Sequence, residues 1–288
     1  MSTTAAPAAA TTPSITDLKR MAVRLRIDII KMLGAAGSGH PGGSLSAVEL
    51  ITGLYFGVMR HHPQDPKWAD RDRFILSKGH CCPALYAVMA ESGYINPEVL
   101  MTLRKMGSPL QGHPDRRFLP ALEANTGSLG QGLSIGIGMA LAARLDKKDF
   151  HTFVMAGDGE IQEGQNWEAA MFAAHHKLAN LTLIVDYNHI QLDGFVKDIL
   201  NVAPLAQKFE AFGWRTVEID GHNFDQVIPA LKEARAGAGG KPTCIVANTV
   251  KGKGVSFMEN KPEWHGVAPN AEQVIAAVAE LEAAAKSL

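Results

Sequence analysis

Residues 152–160 read TFVMAGDGE, and residues 181–188 read LTLIVDYN. Each stretch opens with a short apolar run that is typical of a buried strand, and each ends in polar residues. Asn188 follows Asp158 by 30 positions, which leaves room for a crossover helix between two parallel strands. Because the carboxyl ends of parallel strands meet at one edge of a sheet, we expect Asp158 and Asn188 to lie close together there.

Two further segments share this strand-like composition, and helical patterns separate them. Strands are predicted over residues 152–156, 181–186, 215–219 and 243–248, and helices over 18–33, 46–59, 85–91, 97–106, 133–145, 163–178 and 271–286. The alternation predicts an α/β fold, with a single domain over residues 14–288 and a central parallel sheet covered by helices on both faces. Residues 1–13 are mainly alanine, threonine and proline, so we expect a disordered tail there.

The composition limits the classes of function that the chain can serve. Its 288 residues carry a formal net charge of -1, with no arginine-rich stretch of the kind that indicates a nucleic-acid partner. No run approaches the roughly 18 uncharged apolar residues of a membrane helix, and the amino terminus lacks the pattern of a secretory signal. The three cysteines are too few for a disulfide framework. We therefore expect a cytoplasmic protein that acts on small molecules, without nucleic-acid or membrane partners.

The polar residues at the two strand ends suit a hard divalent cation. A carboxylate from Asp158 and an amide oxygen from Asn188 are ligands that Mg²⁺ prefers, and the glycines beside Asp158 let backbone approach phosphate groups closely. Taken singly, a Gly-Asp-Gly segment is usually a turn and an asparagine after a strand is usually a cap. Together they predict a site for a metal ion and a phosphorylated ligand.

The stretch from Gly157 through Glu163 and Glu168 to Asn188 resembles the thiamine diphosphate motif of the transketolase family. Further motifs of that family occur in the expected order: Ser38-Gly39-His40-Pro41-Gly42, Leu76-Ser77-Lys78-Gly79-His80, Gly112-His113-Pro114, Gly127-Ser128-Leu129-Gly130-Gln131-Gly132, Lys251-Gly252-Lys253-Gly254 and Trp264-His265-Gly266. The resemblance covers essentially the whole predicted domain. Two departures, Ser128 where many relatives carry proline and Tyr187 where many carry an acidic or amide residue, leave the ligand atoms in place.

The resemblance implies a site for thiamine diphosphate and its metal ion. Asp158, Asn188 and the backbone carbonyl of Ile190 would hold Mg²⁺ or Ca²⁺, and the ion would neutralise the diphosphate of the cofactor. The residues expected to contact the cofactor are His80, Gly127, Ser128, Leu129, Asp158, Gly159, Glu160, Asn188 and His265.

The resemblance also implies which residues take part in catalysis. His40, His113 and His265 would line the substrate channel, with His80 near the cofactor. A histidine suits this task because its ordinary pKa of about 6.5 makes both protonation states accessible near neutrality. Glu163 resembles the acid that, with a second glutamate, links the active sites of two subunits. The expected catalytic residues are His40, His80, His113, His265 and Glu163.

The single-chain members of the family continue through a pyrimidine-binding domain and a third domain that these residues do not include. Thiamine diphosphate reacts at its thiazolium C2, and in the family it is activated by a glutamate from the pyrimidine-binding domain of a neighbouring subunit. The resemblance therefore implies the diphosphate-binding subunit of a two-chain transketolase. It would transfer a two-carbon ketol unit from a ketose or its phosphate to an aldose or its phosphate. Its partner would be a separate carboxyl-terminal subunit, in a twofold dimer of heterodimers, a heterotetramer. A truncated longer chain is the alternative.

Other readings of the same motifs remain open at this stage. The α-chain of a 2-oxoacid dehydrogenase, or a deoxyxylulose-phosphate synthase, would keep the metal motif. The histidines, His40 and His113 above all, and the segment around His265 favour transketolase. A non-catalytic module could keep the fold and the cofactor site, but it would have no need of His113 or His265.

Overall fold

The computed structural model describes residues 13–288, so the predicted tail falls, apart from Pro13, on residues outside the described part. Five strands form one parallel sheet in the order β1-β2-β3-β5-β4. The strands are β1 Arg73–Leu76, β2 Thr152–Gly157, β3 Leu181–Tyr187, β4 Arg215–Asp220 and β5 Thr243–Asn248. The predicted α/β fold with a central parallel sheet is confirmed.

Strand β1 is the element of the sheet that the sequence did not predict. It is four residues long and lies at the edge of the sheet, where it pairs only with β2, starting at the Arg73–Thr152 pair. So short a run carries no alternation that a sequence pattern could detect. Its position matters because the segment that follows it contains Lys78 and His80.

Ten α-helices surround the sheet in the described residues. They are α1 Ile15–Ala36, α2 Pro41–Ser46, α3 Val48–Gly53, α4 Cys82–Glu91, α5 Gln131–Leu145, α6 Gly164–His175, α7 Val196–Ile199, α8 Leu205–Ala211, α9 Phe224–Arg235 and α10 Ala271–Ala285. The sequence pattern does not predict helices α2, α7, α8 and α9. None of the helices within residues 13–288 combines the length and the apolar character that crossing a bilayer requires.

Two predicted helices differ from the structure. The helix expected over 46–59 is divided at Ala47 and closes in a π-helical turn, Leu54–Val58. The helix expected over 97–106 is a 3₁₀-helix, Pro97–Thr102, because the backbone leaves the helical region at Leu103, with ψ of 129°, and is left-handed at Arg104. In both segments apolar residues recur at a helix-like spacing, which is why an α-helix is expected there. The backbone conformation that follows each segment does not allow an α-helix to continue.

Helix α1 leads into the loop that carries His40. Ser14 caps its amino terminus in a capping box with Asp17, and Gly37 ends it in a left-handed conformation with φ of 64°. A left-handed residue reverses the chain direction at little cost only when it is glycine. The chain therefore turns there and brings His40 towards the carboxyl edge of the sheet.

The two faces of the sheet bury two separate apolar cores. Alternate residues of β2 point to opposite faces, with Phe153 and Met155 in one core and Val154 and Ala156 in the other. Helices α1, α3, α4, α9 and α10 cover the first face, and α5, α6 and α8 cover the second. Full burial of each large apolar side chain contributes about 1.5–3 kcal/mol. The sheet is thus a rigid platform for the polar residues at its carboxyl edge.

Candidate active site

Four neighbouring strands deliver polar residues to one edge of the sheet. Lys78 follows β1, Asp158 follows β2, Asn188 follows β3 and Lys251 follows β5. Parallel neighbours end on the same side, so all four side chains belong to one cluster of loops. The loops after β2 and β3 are joined directly, since the His189 backbone N–H donates to Asp158 Oδ2 at 2.5 Å.

Asp158 is a buried carboxylate bonded to backbone N–H groups. Its side chain accepts from Gly159 at 2.8 Å and from His189, and the residue is 2% exposed. Burial, together with the nearby charge of Asp186, raises the pKa of Asp158 to about 7. A bound cation would stabilise the ionised form of this carboxylate, so its surroundings fit a metal site.

Both the nitrogen and the oxygen of the Asn188 side-chain amide are hydrogen-bonded within the protein. Its Nδ2 donates to Asp186 Oδ2 at 3.2 Å, and its Oδ1 accepts from the Ile190 backbone N–H at 3.2 Å. Because Asp186 can only accept when ionised, the bond fixes which side of the amide carries the oxygen. That oxygen is the atom that the predicted metal site requires.

The Asp186 carboxylate is the centre of a buried polar network that the sequence motifs did not reveal. It pairs with the ammonium of Lys78, and it accepts from Ser46 Oγ at 2.6 Å and from the hydroxyl of Thr249. Burial acts to lower the pKa of Lys78, but the carboxylate outweighs it and the pKa is raised. Both partners are therefore ionised, and the pair links the loops after β1, β3 and β5.

Lys251, the first residue of the Lys251-Gly252-Lys253-Gly254 motif, is a further candidate for a role in the site. Its Nζ lies 3.0 Å from the Ile190 carbonyl oxygen and 2.7 Å from Nδ1 of His265. Burial lowers the pKa of Lys251 to about 8. A carbonyl oxygen has two lone pairs, so this bond leaves Ile190 able to ligate a metal ion as well.

The structure brings the four predicted histidines into one cluster. The ring centroid of His40 lies 5.1 Å from that of His80, 6.4 Å from that of His113 and 5.5 Å from that of His265. His80 and His265 stack with centroids 5.2 Å apart. Loops that are far apart in the sequence thus supply a single group of imidazoles.

All four histidines have lowered pKa values. Burial, followed by the charge of Arg104, lowers the pKa of His40 to about 4, and burial followed by Lys251 lowers that of His265 to about 3. Burial also lowers the pKa of His80 and His113. At pH 7 the cluster is therefore neutral, and each ring has one nitrogen that can accept a hydrogen bond.

The segment Gly127-Ser128-Leu129 lies against this cluster. Gly127 has φ of 139°, and a Cβ built on it would lie 3.1 Å from the ring of His113. A Cβ on Gly79 would lie 2.8 Å from the Gly127 backbone nitrogen, so the two loops are in contact through glycines. Ser128 is exposed and Leu129 is half-buried. The predicted cofactor contacts of all three residues stay predictions that this placement supports.

Glu160 bonds to protein groups on three loops. Its carboxylate accepts from Ser77 Oγ at 2.5 Å, from the Gly130 backbone N–H at 2.9 Å and from the Gly157 backbone N–H at 3.1 Å. The residue is buried. Direct contact between Glu160 and a cofactor stays a prediction, and these three bonds favour an indirect role in which the carboxylate holds the loops together.

Glu163 comes from the segment between β2 and α6. Glu163 is exposed at the amino-terminal cap of α6. A Cβ added to Gly130 would lie 2.7 Å from the Cβ of Glu163. Glu168 is exposed on the same helix. An exposed position is what the proposed role in linking two subunits requires, and that role stays a prediction.

No group of three or more His, Cys, Asp or Glu side chains placed to hold a metal ion occurs in the described residues. The predicted ligand set has a single carboxylate, completed by the Asn188 amide and the Ile190 carbonyl. Those three oxygens, near the buried Asp186, fit Mg²⁺, which needs few protein carboxylates when phosphate oxygens complete its shell.

Comparison with protein families identifies the family to which this domain belongs. The family model described as the transketolase thiamine diphosphate binding domain matches residues 18–285. The 6-deoxy-6-sulfo-D-fructose transketolase subunit SqwG of Clostridium sp. (strain MSTE9) is 46% identical over 266 residues, which are 92% of this chain and 96% of that protein. A subunit of the apulose-4-phosphate transketolase of Phocaeicola vulgatus is 42% identical, and the match covers 88% of this chain and 89% of that protein.

Solved structures agree with these sequence matches. The transketolase of Campylobacter jejuni superposes with a TM-score of 0.88 at 33% identity, over 94% of this chain and 43% of that chain. The chain thus spans less than half the length of that solved transketolase. All three similar proteins are transketolases or transketolase subunits, so the assignment to another class of thiamine diphosphate enzyme is not favoured. The chain therefore belongs to the transketolase family and corresponds to the amino-terminal, thiamine-diphosphate-binding domain of its members.

Proposed function

We propose that the chain is the diphosphate-binding subunit of a two-chain transketolase. The reaction is the transfer of a two-carbon ketol unit from a ketose or ketose phosphate to an aldose or aldose phosphate. The observation that carries this proposal is the cluster of four neutral histidines beside the polar residues of the strand ends. A sugar channel needs such groups because hydroxyls must be oriented and protons moved when a carbon–carbon bond breaks.

The residues at the strand ends would hold the cofactor and its ion. Asp158, Asn188 and the Ile190 carbonyl would ligate Mg²⁺, or Ca²⁺ in its place, and the Lys251 ammonium supplies a further buried positive charge for the diphosphate. Thiamine diphosphate, when bound, supplies the nucleophilic carbon. The protein contributes binding, orientation and electrostatics.

The histidines would act on the sugar. His40 Nδ1 is buried and has no hydrogen-bond partner among the described residues, so it is free to bond a sugar hydroxyl. His113 is exposed at the opening of the cluster. We assign these two residues to the substrate and His80 and His265 to the boundary between substrate and cofactor.

A separate carboxyl-terminal subunit would complete the site. The glutamate that activates the cofactor in the family lies in a pyrimidine-binding domain, and residues 18–285 match only the thiamine diphosphate binding domain. Helix α6 carries two large exposed apolar residues, Met171 at 57% and Phe172 at 43% exposure, beyond Glu163. These two adjacent side chains, on the helix that follows Glu163, support a contact surface there. We propose a cytoplasmic heterotetramer, a twofold dimer of heterodimers.

The test is reconstitution. The chain is purified alone and with a co-expressed chain that carries the pyrimidine-binding domain, and ketol transfer is assayed with thiamine diphosphate and Mg²⁺ across phosphorylated and free ketose donors. We expect activity only from the pair, and a mass by light scattering of two copies of each chain. A pair carrying Asp158→Ala is the negative control. Robust transfer by the chain alone would contradict the need for a partner, and a pair that decarboxylates 2-oxoacids but ignores ketoses would contradict the reaction.

A further inference from the structure

Arg104 has a backbone conformation that side chains rarely adopt. It follows the 3₁₀-helix Pro97–Thr102 and has φ of 60°, in the left-handed region, while its backbone N–H donates to the Leu110 carbonyl at 2.9 Å. For a residue with a Cβ this conformation costs about 1–2 kcal/mol relative to a right-handed one. Such residues cluster at functional sites, where the surroundings hold them in place.

The guanidinium of Arg104 joins two loops of the histidine cluster. One terminal nitrogen donates to Ser38 Oγ at 3.2 Å and the other to the Gly112 carbonyl at 3.3 Å. Ser38 lies two residues before His40, and Gly112 directly precedes His113.

The loop before His113 passes close to the guanidinium because position 112 is glycine. A Cβ on Gly112 would lie 3.0 Å from the Arg104 Cζ, whereas a Cβ on Gly39 would lie at an ordinary contact distance of 3.9 Å from its Nε. A side chain at position 112 would displace the guanidinium. The arrangement therefore depends on glycine at that position and on an arginine long enough to reach both loops.

The positive charge of Arg104 acts on both histidines. Burial is the largest cause of the lowered pKa of His40, and the charge of Arg104 comes next, ahead of His113 and Lys251. For His113 the order is the same, with burial first and Arg104 second. The titratable groups that face His40 are His80, His113, His265, Arg104 and Lys251. Those that face His113 are His40 and Arg104.

We propose that Arg104 is a positioning residue that holds the His40 and His113 loops at a fixed separation for work on the sugar. Its positive charge adds to burial in disfavouring the protonated form of both imidazoles. This inference rests on the proposed function, since it assigns Arg104 to the substrate side of that same site. Arg104 acts through the two histidines and does not itself react. The length and planar fork of arginine are needed to reach two acceptors on different loops.

The test uses the assembled two-chain enzyme with Arg104→Met and Arg104→Lys. Arg117→Met is the matched control, because Arg117 lies four residues after His113 and its side chain is 75% exposed in a pair with Asp115. We expect Arg104→Met to lower kcat by on the order of tenfold, as loss of hydrogen bonds from a charged group does. It should also move the acidic limb of the kcat/KM profile to higher pH, because removing a cation raises the pKa of a nearby histidine.

Arg104→Lys separates the two parts of the proposal. Lysine keeps the charge and loses the fork, so we expect a lowered kcat with the acidic limb where it is in the unmodified enzyme. The Arg117→Met control should match the unmodified enzyme in both. If Arg104→Met leaves kcat and the acidic limb unchanged, or if Arg104→Lys leaves kcat unchanged, the proposal is wrong.

A second measurement does not depend on ketol transfer. The full chain, labelled at histidine, is titrated by NMR, with His40 and His113 assigned from His→Gln variants. Arg104→Met should raise the apparent pKa of both histidines, and unchanged titrations would overturn the proposal. If the assembled enzyme shows no ketol transfer at all, the proposed function fails while this titration still decides the role of Arg104.

Discussion

The ammonium of Lys251 lies 2.7 Å from Nδ1 of His265, and both side chains stand at the carboxyl edge of the sheet. Their contact ties the loop that follows β5 to the Trp264-His265-Gly266 segment. Gly42 makes the arrangement possible, since a Cβ there would lie 2.9 Å from both Lys251 Cγ and the Trp264 carbonyl.

Lys251→Met should weaken the binding of thiamine diphosphate by the assembled enzyme. A hydrogen bond to a charged group is worth about 1.5–3 kcal/mol, which corresponds to about a tenfold to a hundredfold loss of affinity. Calorimetric titration with the cofactor at constant Mg²⁺ measures the change. Lys253→Met is the matched control, because Lys253 is partly exposed and pairs with Glu259. Equal affinity in Lys251→Met and Lys253→Met would remove Lys251 from the site.

Asp158→Ala and Asn188→Ala should each abolish the dependence of cofactor binding on Mg²⁺, because each removes a proposed oxygen ligand. Affinity for thiamine diphosphate is measured in the assembled enzyme over a series of Mg²⁺ concentrations. Asp193→Ala removes an exposed carboxylate from the loop after β3 and should leave the Mg²⁺ response intact. An unchanged Mg²⁺ response in both site variants would show that the metal assignment is wrong.

Lys78→Met and Asp186→Asn should each lower the free energy of unfolding by about 3–5 kcal/mol, because either change leaves a buried group without its charged partner. Urea unfolding of the full chain measures this loss. Lys148→Met breaks a pair with Asp70 whose side chains are 40% and 43% exposed, and it should cost less than about 1 kcal/mol. Comparable losses of unfolding free energy in Lys78→Met and Lys148→Met would mean that the buried pair stabilises the fold no more than the exposed pair does.

His151 should make the chain less stable in mild acid. Its ring is buried, with Nε2 2.7 Å from the Thr182 hydroxyl, and burial lowers its pKa to about 3. Between that value and the ordinary 6.5 the unfolded chain takes up a proton that the folded chain does not. Stability therefore falls as the pH falls, by about 2 kcal/mol from pH 7 to pH 5 for this residue.

His151→Gln should remove that part of the pH dependence. Urea unfolding at pH 7 and pH 5 gives the difference, and His175→Gln, at an exposed position on α6, should retain the full pH dependence. If His151→Gln and the unmodified chain lose the same stability between the two pH values, His151 is not a source of acid sensitivity.

The predictions from sequence succeeded where the information was local. Strands β2 to β5 were placed within one residue at each end, because each is a short apolar run bounded by polar residues. Asp158 and Asn188 were expected to meet because strand ends on one side of a parallel sheet meet by geometry. The unpredicted β1 and the divided helix at Ala47 depend on pairing and packing that no local pattern records.

The sequence by itself determined the fold class, the family and the four histidines, since these follow from apolar periodicity and from short motifs in a fixed order. Only the tertiary structure decided that Lys78 pairs with Asp186, 108 positions away, that Lys251 contacts His265, and that Arg104 joins the loops of His40 and His113. The order of the strands and the conformation of the loops determine which charged side chains come into contact. In a buried site these contacts determine the protonation state of each group, because a charge shielded from water interacts most strongly with its nearest neighbours.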